Sequence, residues 1–289
     1  MPVSRDMVLG RRSAVAAGLA ALASGRRAGA GEPIRFGLTP VFVDSDLQLL
    51  SLLHDYLVAA LGAPVELVHR RTYQEITALL LSDQIDAAWI CGFPYVRWRD
   101  RLSLVGVPVY LGHPLYQSYV IVGRDRAVGE FEDLKGDVHA FSDPDSNSGW
   151  LVTRHLLLER GTSPANFFSR TFFTYGHRNV VRAVAAGLAQ SGSVDGYIWN
   201  VLAEREPALT GATRILRRSE WLGFPPVVTT TIRGDRPKVR AIATALLTMP
   251  ASEQGRALLK MLELDGFTPG QPALFDPIDQ MYRDVEAAS

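Results

Sequence analysis

The sequence predicts an α/β protein of two lobes, each a mixed and mainly parallel sheet flanked by helices, with a ligand cleft between the lobes. Three observations carry this reading. Strand-type and helix-type segments alternate through residues 33–92, the alternation restarts after residue 133, and the chain ends on a last strand followed by helices. With 289 residues, 47% of them hydrophobic and 21% charged, the chain is long enough to give each lobe its own core.

The first lobe opens with a β-type run at 33–43, broken by Thr39-Pro40. Residues 47–62 space their apolar side chains for a helix and stop at Gly62. Residues 64–70 predict a strand, 72–84 a helix and 85–92 a short buried strand. Such a β-α-β-α-β series packs as a largely parallel sheet. Residues 102–110 and 116–125 add two more strands.

The same grammar then repeats. A strand is expected within 133–143, a helix within 148–161, a strand within 169–176, a helix over 177–190 and a strand beginning at 193. Residues 224–234 return as a strand, and 236–249 and 252–264 as helices that close the first lobe. The expected organisation is 33–121 plus 225–289 for one lobe and 122–224 for the other. In open α/β sheets a ligand sits at the carboxyl ends of strands, against helix N-termini.

Residues 1–30 have a different composition: Arg11-Arg12 precede an apolar Ala/Val/Leu run that ends in small residues, Ala28-Gly29-Ala30. This is the outline of an export signal, Tat-like in its twin arginine and too short to span a membrane. A second pair, Arg26-Arg27, is unusual so near a cleavage site. The mature protein is expected to begin near Gly31, to be periplasmic, soluble and monomeric, and to carry no lipid anchor, because the one cysteine is Cys91. A single cysteine also excludes an intramolecular disulfide. The formal net charge of +0 gives no field that would draw the chain to nucleic acid.

One stretch concentrates polar chemistry: FSDPDSNSGW, residues 141–150. A strand ends, Asp143-Pro144 turns the chain, and Ser146, Asn147, Ser148 and Gly149 present hydroxyls, an amide and backbone N–H groups where a helix begins. With the helix dipole these groups form an anion seat that needs no lysine or arginine. A plain helix cap by Ser146 or Asn147 accounts for the same residues equally well.

The stretch resembles the strand–turn–helix motif of the periplasmic phosphate- and phosphonate-binding proteins of ABC importers, the PhnD-like family, whose usual form carries a hydroxyl residue where Asn147 stands. Three further segments are similar in the same order: QIDAAWICGFPYV at 84–96, GHPLYQSYVIVGRD at 112–125, and the run from Tyr175 to Asn200. The resemblance implies a type II periplasmic-binding fold that closes on a tetrahedral oxyanion. It further implies oxygen contacts from Ser146, Asn147, Ser148 and Gly149, a donor in His177, a reach from the hinge by Tyr116, and a contact from Asn200. No cofactor is implied. The implied partners are a small phosphorus oxyanion and an inner-membrane ABC permease, or alternatively a receptor kinase or chemoreceptor to which the same fold presents its ligand.

Other chemistries fit less well. Ser148, His177 and Asp195 occur in an order that suits a catalytic triad, but no Gly-x-Ser-x-Gly elbow is present. The six histidines show no metal-ligand spacing, and no phosphate loop of the nucleotide-hydrolysing type occurs. Trp150, Tyr197 and Trp199 are expected to narrow the pocket, and Arg178 has no role assigned. The basic clusters at 70–72, 215–218 and 233–240 read as solvated ends of elements or as a docking surface for the permease.

Overall fold

The computed structural model describes residues 32–39 and 47–288. The export signal expected over residues 1–30 lies outside them. Among the described residues no helix is long and apolar enough to cross a membrane.

Along the chain the first elements are β1 (Ile34–Leu38), α1 (Leu47–Leu61), β2 (Val65–His69), α2 (Tyr73–Leu81), β3 (Ala87–Trp89), α3 (Gly92–Arg97) and β4 (Leu102–Val109). A two-residue strand, β5 (Leu115–Tyr116), leads to β6 (Ser118–Gly123), β7 (Val138–Phe141), α4 (Val152–Leu158), α5 (Pro164–Phe167), β8 (Arg170–Phe173), α6 (His177–Ala185), β9 (Ser191–Asp195), α7 (Gly196–Arg205), α8 (Pro207–Thr210) and β10 (Thr213–Arg218). The chain returns through β11 (Leu222–Gly223) to β12 (Val227–Thr230), α9 (Pro237–Leu247), α10 (Glu253–Leu262), β13 (Gly266–Thr268) and α11 (Asp276–Ala287).

Among the described residues these strands form two large sheets and one two-stranded ribbon. The first has the order β13-β4-β12-β3-β1-β2, parallel at β3-β1-β2 and antiparallel elsewhere. The second has the order β10-β6-β9-β7-β8, with β7 parallel to both of its neighbours. The antiparallel edges arise where the chain enters and leaves each sheet without a helical crossover, which a parallel pair would need. The two passages between the sheets pair with each other, β5 with β11, through Leu222 opposite Tyr116 and Gly223 opposite Leu115. The first passage therefore lies at β5, a few residues before the 121–122 boundary read from the sequence. All of β6 pairs inside the second sheet, because its apolar run continues without a break from Tyr119 to Val122.

α2 shows how local sequence sets an element. Thr72 accepts from the Glu75 backbone N–H while Glu75 reaches back to the Thr72 N–H, a capping box that fixes where the helix begins. Tyr73, the first helical residue, is thereby held at the end of the first sheet that faces the second. In the second sheet a buried polar chain pins α4: Thr153 Oγ1 lies 2.6 Å from Ser193 Oγ, which lies 2.9 Å from His139 Nε2, whose Nδ1 is 2.8 Å from Ser191 Oγ. Burial drives the His139 pKa down to about 3, so this imidazole is a neutral core residue.

The large aromatic residues are used in packing. Trp150 stacks edge-on against Phe141 and Phe173, and Trp199 packs on Tyr119 and donates to Thr213. Tyr197 donates to the Leu262 carbonyl and packs on Tyr110 and Phe224. Arg178 forms a two-pronged pair with Glu206, at 2.7 and 2.6 Å, which ties α6 to the start of α8. The 233–240 cluster sits beside the N-terminal end of β1, where Arg233 pairs with Asp83 and Asp86 and Lys238 with Glu32.

Gly192, in the middle of β9, gives a direct check of this packing. A Cβ there would stand 2.6 Å from Val180 Cγ1 and 3.2 Å from the Ala140 carbonyl. Gly192→Ala is expected to cost about 1–3 kcal/mol. It should lower the midpoint of thermal unfolding by about 2–4 °C per kcal/mol, read by calorimetry.

Candidate functional site

The site is built at the carboxyl end of β7. Asp143 turns the chain by accepting the Asp145 N–H on its side chain at 2.8 Å and the Ser146 N–H on its carbonyl at 3.0 Å. Helix then runs from Asn147 to Leu158, beginning with one π-type turn, Asn147–Leu151, before α4. Such turns are rare and concentrate at functional sites. Ser146 Oγ accepts the Gly149 N–H at 3.0 Å, so this side chain is the helix cap that the sequence also allowed. Gly149 is required by packing, since a Cβ would stand 1.8 Å from Ser142 Oγ.

The structure brings Asn147, Ser148, Tyr116 and His177 together with residues of the first lobe. Ser146, Asn147 and Ser148 have no exposed surface, and Tyr116 and His177 are 1% exposed. Asn147 donates through Nδ2 to Tyr116 Oη at 2.9 Å and through its backbone N–H to Cys91 Sγ at 3.2 Å. Ser118 Oγ donates to the Ser148 carbonyl at 2.6 Å. Three atoms lack a hydrogen-bond partner among the described residues: Ser142 Oγ, Asn147 Oδ1 and Ser148 Oγ. The Ser148 hydroxyl stands near the Tyr116 phenol without a well-formed bond to it.

His177 begins α6 and joins the lobes. Its Nδ1 accepts the Asp195 backbone N–H at 3.1 Å, and Nε2 lies 3.2 Å from the Tyr73 hydroxyl. Burial pushes its pKa down to about 3, so the ring is neutral and its proton is on Nε2, aimed at Tyr73. Contact with Asp195 runs through the backbone, and Ser148 Oγ is bonded to neither residue, so the triad order in the sequence does not become a proton relay.

Asn200 stands apart from this group. It is half-buried on α7 and donates to Tyr110 Oη at 3.1 Å and Tyr119 Oη at 3.3 Å, which occupies both amide hydrogens.

Nothing in the sequence marks Ser142 or Tyr73 as a site residue, while Asp143 stands out there only as a turn residue, Cys91 only as the single cysteine and Asp195 only as a possible triad member. Tyr73 also donates its backbone N–H to Asp143 Oδ2 at 3.4 Å, Arg97 reaches Asp145 at 3.4 Å and Gln74 bonds the same carboxyl, so at least five contacts among the described residues cross between the lobes here. The only signal for Tyr73 was its place just inside a capping box. Burial raises the Asp143 carboxyl to about 6 and the Asp195 carboxyl to about 7, although Asp195 accepts the Ile198 N–H as the cap of α7. The cluster is thus a set of neutral donors ringed by two weakly acidic carboxyls.

Removing the Tyr73 hydroxyl would leave the His177 Nε2–H buried without an acceptor. Tyr73→Phe is expected to lower stability by about 1–3 kcal/mol in denaturant titrations, well beyond an ordinary surface change.

Residues 36–275 match the family model for ABC transporter phosphonate periplasmic substrate-binding proteins. The phosphate-import protein PhnD of Mycolicibacterium smegmatis is 24% identical over 256 residues, covering 83% of this chain and 76% of that protein. The binding-protein component of an ABC phosphonate transporter from Pseudomonas aeruginosa superposes with a TM-score of 0.80 at 19% identity, over 88% of this chain and 87% of that one. PhnD1 from Prochlorococcus marinus, solved in complex with methylphosphonate, superposes with a TM-score of 0.77 at 15% identity, over 88% and 98% of the two chains. These structures share the two-lobed type II periplasmic-binding fold. The chain belongs to the phosphonate-binding family of periplasmic substrate-binding proteins of ABC transporters, a family of transport proteins and not of enzymes.

Proposed function

We propose that the chain is exported, captures a phosphorus oxyanion (phosphonate, phosphite or phosphate) between its lobes, and delivers it to an inner-membrane ABC permease. The observation that carries this reading is the group of buried polar atoms at Ser142, Asn147 and Ser148, which lie where two lobes meet and have no partner among the described residues. Native proteins pair almost all such atoms, and exceptions mark functional positions. A tetrahedral oxyanion presents several oxygens within one small volume and suits hydroxyl donors at a helix start. The names of the relatives, a phosphate importer and a methylphosphonate complex, support the same class of ligand.

The proposed ligand-binding set is Ser146, Asn147, Ser148 and Gly149 at the helix start, with Ser142 beside them, His177 and Tyr73 from the two sides, and Tyr116 at the hinge. Within it Ser148 contributes its free hydroxyl and Ser146 holds the backbone in place. Asn200 belongs to the set only if the ligand draws one amide hydrogen away from Tyr110 or Tyr119. The proposed lobes are the two sheets with their helices, divided at β5 and β11.

A thermal-shift screen with phosphate, phosphite, methylphosphonate, aminoethylphosphonate and sulfate tests the reading. A ligand at 100 times its dissociation constant should add about 2.7 kcal/mol of apparent stability. Ser148→Ala should weaken binding by about 10- to 150-fold, through loss of one hydrogen bond to a charged group, and leave apo melting nearly unchanged. Ser146→Ala should lower apo stability by about 0.5–2 kcal/mol. Silence with every phosphorus ligand would refute the assignment.

Export has its own test. The N-terminus of protein recovered from the native cell envelope is expected near residue 31, and an intact Met1 would refute export.

A further inference from the structure

We propose that Asn147 makes the seat selective for protonation state: it takes the singly charged P–OH form of a phosphorus oxyanion in preference to the fully ionised form. This inference rests on the oxyanion reading and specifies which ionic form is bound.

The unpartnered atoms differ in their chemistry. Ser142 Oγ and Ser148 Oγ are hydroxyls and can donate to any oxyanion oxygen. Asn147 Oδ1 is different, because a carbonyl oxygen only accepts. One hydrogen of the Nδ2 group of the same amide is committed to Tyr116 at 2.9 Å, whereas Oδ1 has no partner at all among the described residues. Asn147 therefore offers the ligand a lone pair at a position with no exposed surface. A fully ionised oxyanion has only acceptors and would set oxygen against oxygen there. A ligand that keeps one P–OH donates that proton to Oδ1 and pairs the buried atom.

The charges around the seat point the same way. Tyr73 on α2 and Tyr116 on β5 are neutral phenols whose pKa values burial raises, and the Cys91 thiol beside α3 is pushed up to about 12. His177 on α6 is neutral. Arg97 on α3 faces Asp145, which matches its charge at 3.4 Å. What remains is Asp143 just after β7 and Asp195 at the end of β9, both acids. A second negative charge on the ligand would thus enter a buried region to which the described residues bring no unmatched cation, which is costly. One proton on the ligand removes both the clash at Oδ1 and the excess charge.

The test is a binding titration of methylphosphonate against the whole protein across the pH range that spans the ligand's second ionisation, with wild type and Asn147→Thr compared. A threonine hydroxyl can donate or accept, so it serves either form of the ligand. In wild type the affinity is expected to fall about tenfold for each pH unit above the ligand's second pKa. In Asn147→Thr the fall should be clearly shallower. Ionisation of Asp143 and Asp195 acts on both proteins alike, so the difference in slope isolates position 147. Asn147→Ser is the second variant should the threonine not fold. Equal slopes, or a wild-type affinity that is flat or rises with pH, would overturn the inference: the amide would then be turned over, with its NH2 group on the ligand and Oδ1 held by the Tyr116 hydroxyl. Absence of binding by any phosphorus ligand at any pH would refute the oxyanion reading itself, and this inference with it.

Discussion

The polar start of the helix at Asn147 has no exposed surface, so its groups need partners, and those that the protein supplies come from both lobes. Ser146 pairs with Gly149 within the turn, Ser118 of β6 pairs with the Ser148 carbonyl, and Tyr116 of β5 pairs with the Asn147 amide. The Asn147 N–H crosses to Cys91, which precedes α3 in the other lobe. A sulfur is a weak acceptor, and this thiol is neutral, so the bond holds the lobes together less firmly than a carbonyl would. Burial of one helix start therefore dictates where β5, β6, β7 and α3 must converge.

The same requirement couples the proposed seat to the paired passages between the two sheets. Tyr116 is a ladder residue opposite Leu222 in the two-stranded passage and also the hydroxyl that holds Asn147. Its ring packs 5.6 Å from Phe224, which in turn touches Tyr110 and Tyr197. Tyr197 reaches the end of α10 through its bond to Leu262. A movement of Asn147 is thus felt through side chains that pack against both lobes. Close-packed interiors respond to such movements by switching between arrangements and resist gradual deformation.

Much of this fold could be read from the chain because local rules and global pattern agree. Alternating β and α segments, a restart after residue 133, and the turn chemistry of 141–150 all pointed to the elements that form. What stayed hidden depends on contacts between residues far apart in sequence. Tyr73 and His177 are 104 positions apart, and nothing near either residue says that their side chains meet. Cys91 read as a lone buried thiol and acquires meaning only as the acceptor for Asn147. Asn200 shows the opposite case, where motif position suggested a ligand contact and the fold gave the amide two tyrosine partners. Trp150, Tyr197 and Trp199 were expected to narrow the pocket, but large rings bury more area in a core, and each is packed there.

The atoms without partners also bear on how the lobes come together. Each buried and unpaired polar group costs about 1–3 kcal/mol, so three of them together approach the ~5.5 kcal/mol needed to carry a two-state equilibrium from 99:1 to 1:99. Bringing the lobes together without a ligand leaves Ser142 Oγ, Asn147 Oδ1 and Ser148 Oγ without partners among the described residues, whereas separating the lobes opens these atoms to water. A ligand that pairs all three removes that cost only in the closed arrangement, and a ligand can shift an equilibrium by no more than such a difference in affinity. Under the proposed oxyanion reading, the polar atoms assigned to the ligand therefore also make closure depend on it. An apolar contact between the lobes would favour closure with or without a ligand, whereas polar atoms of this kind favour it only when a ligand pairs them.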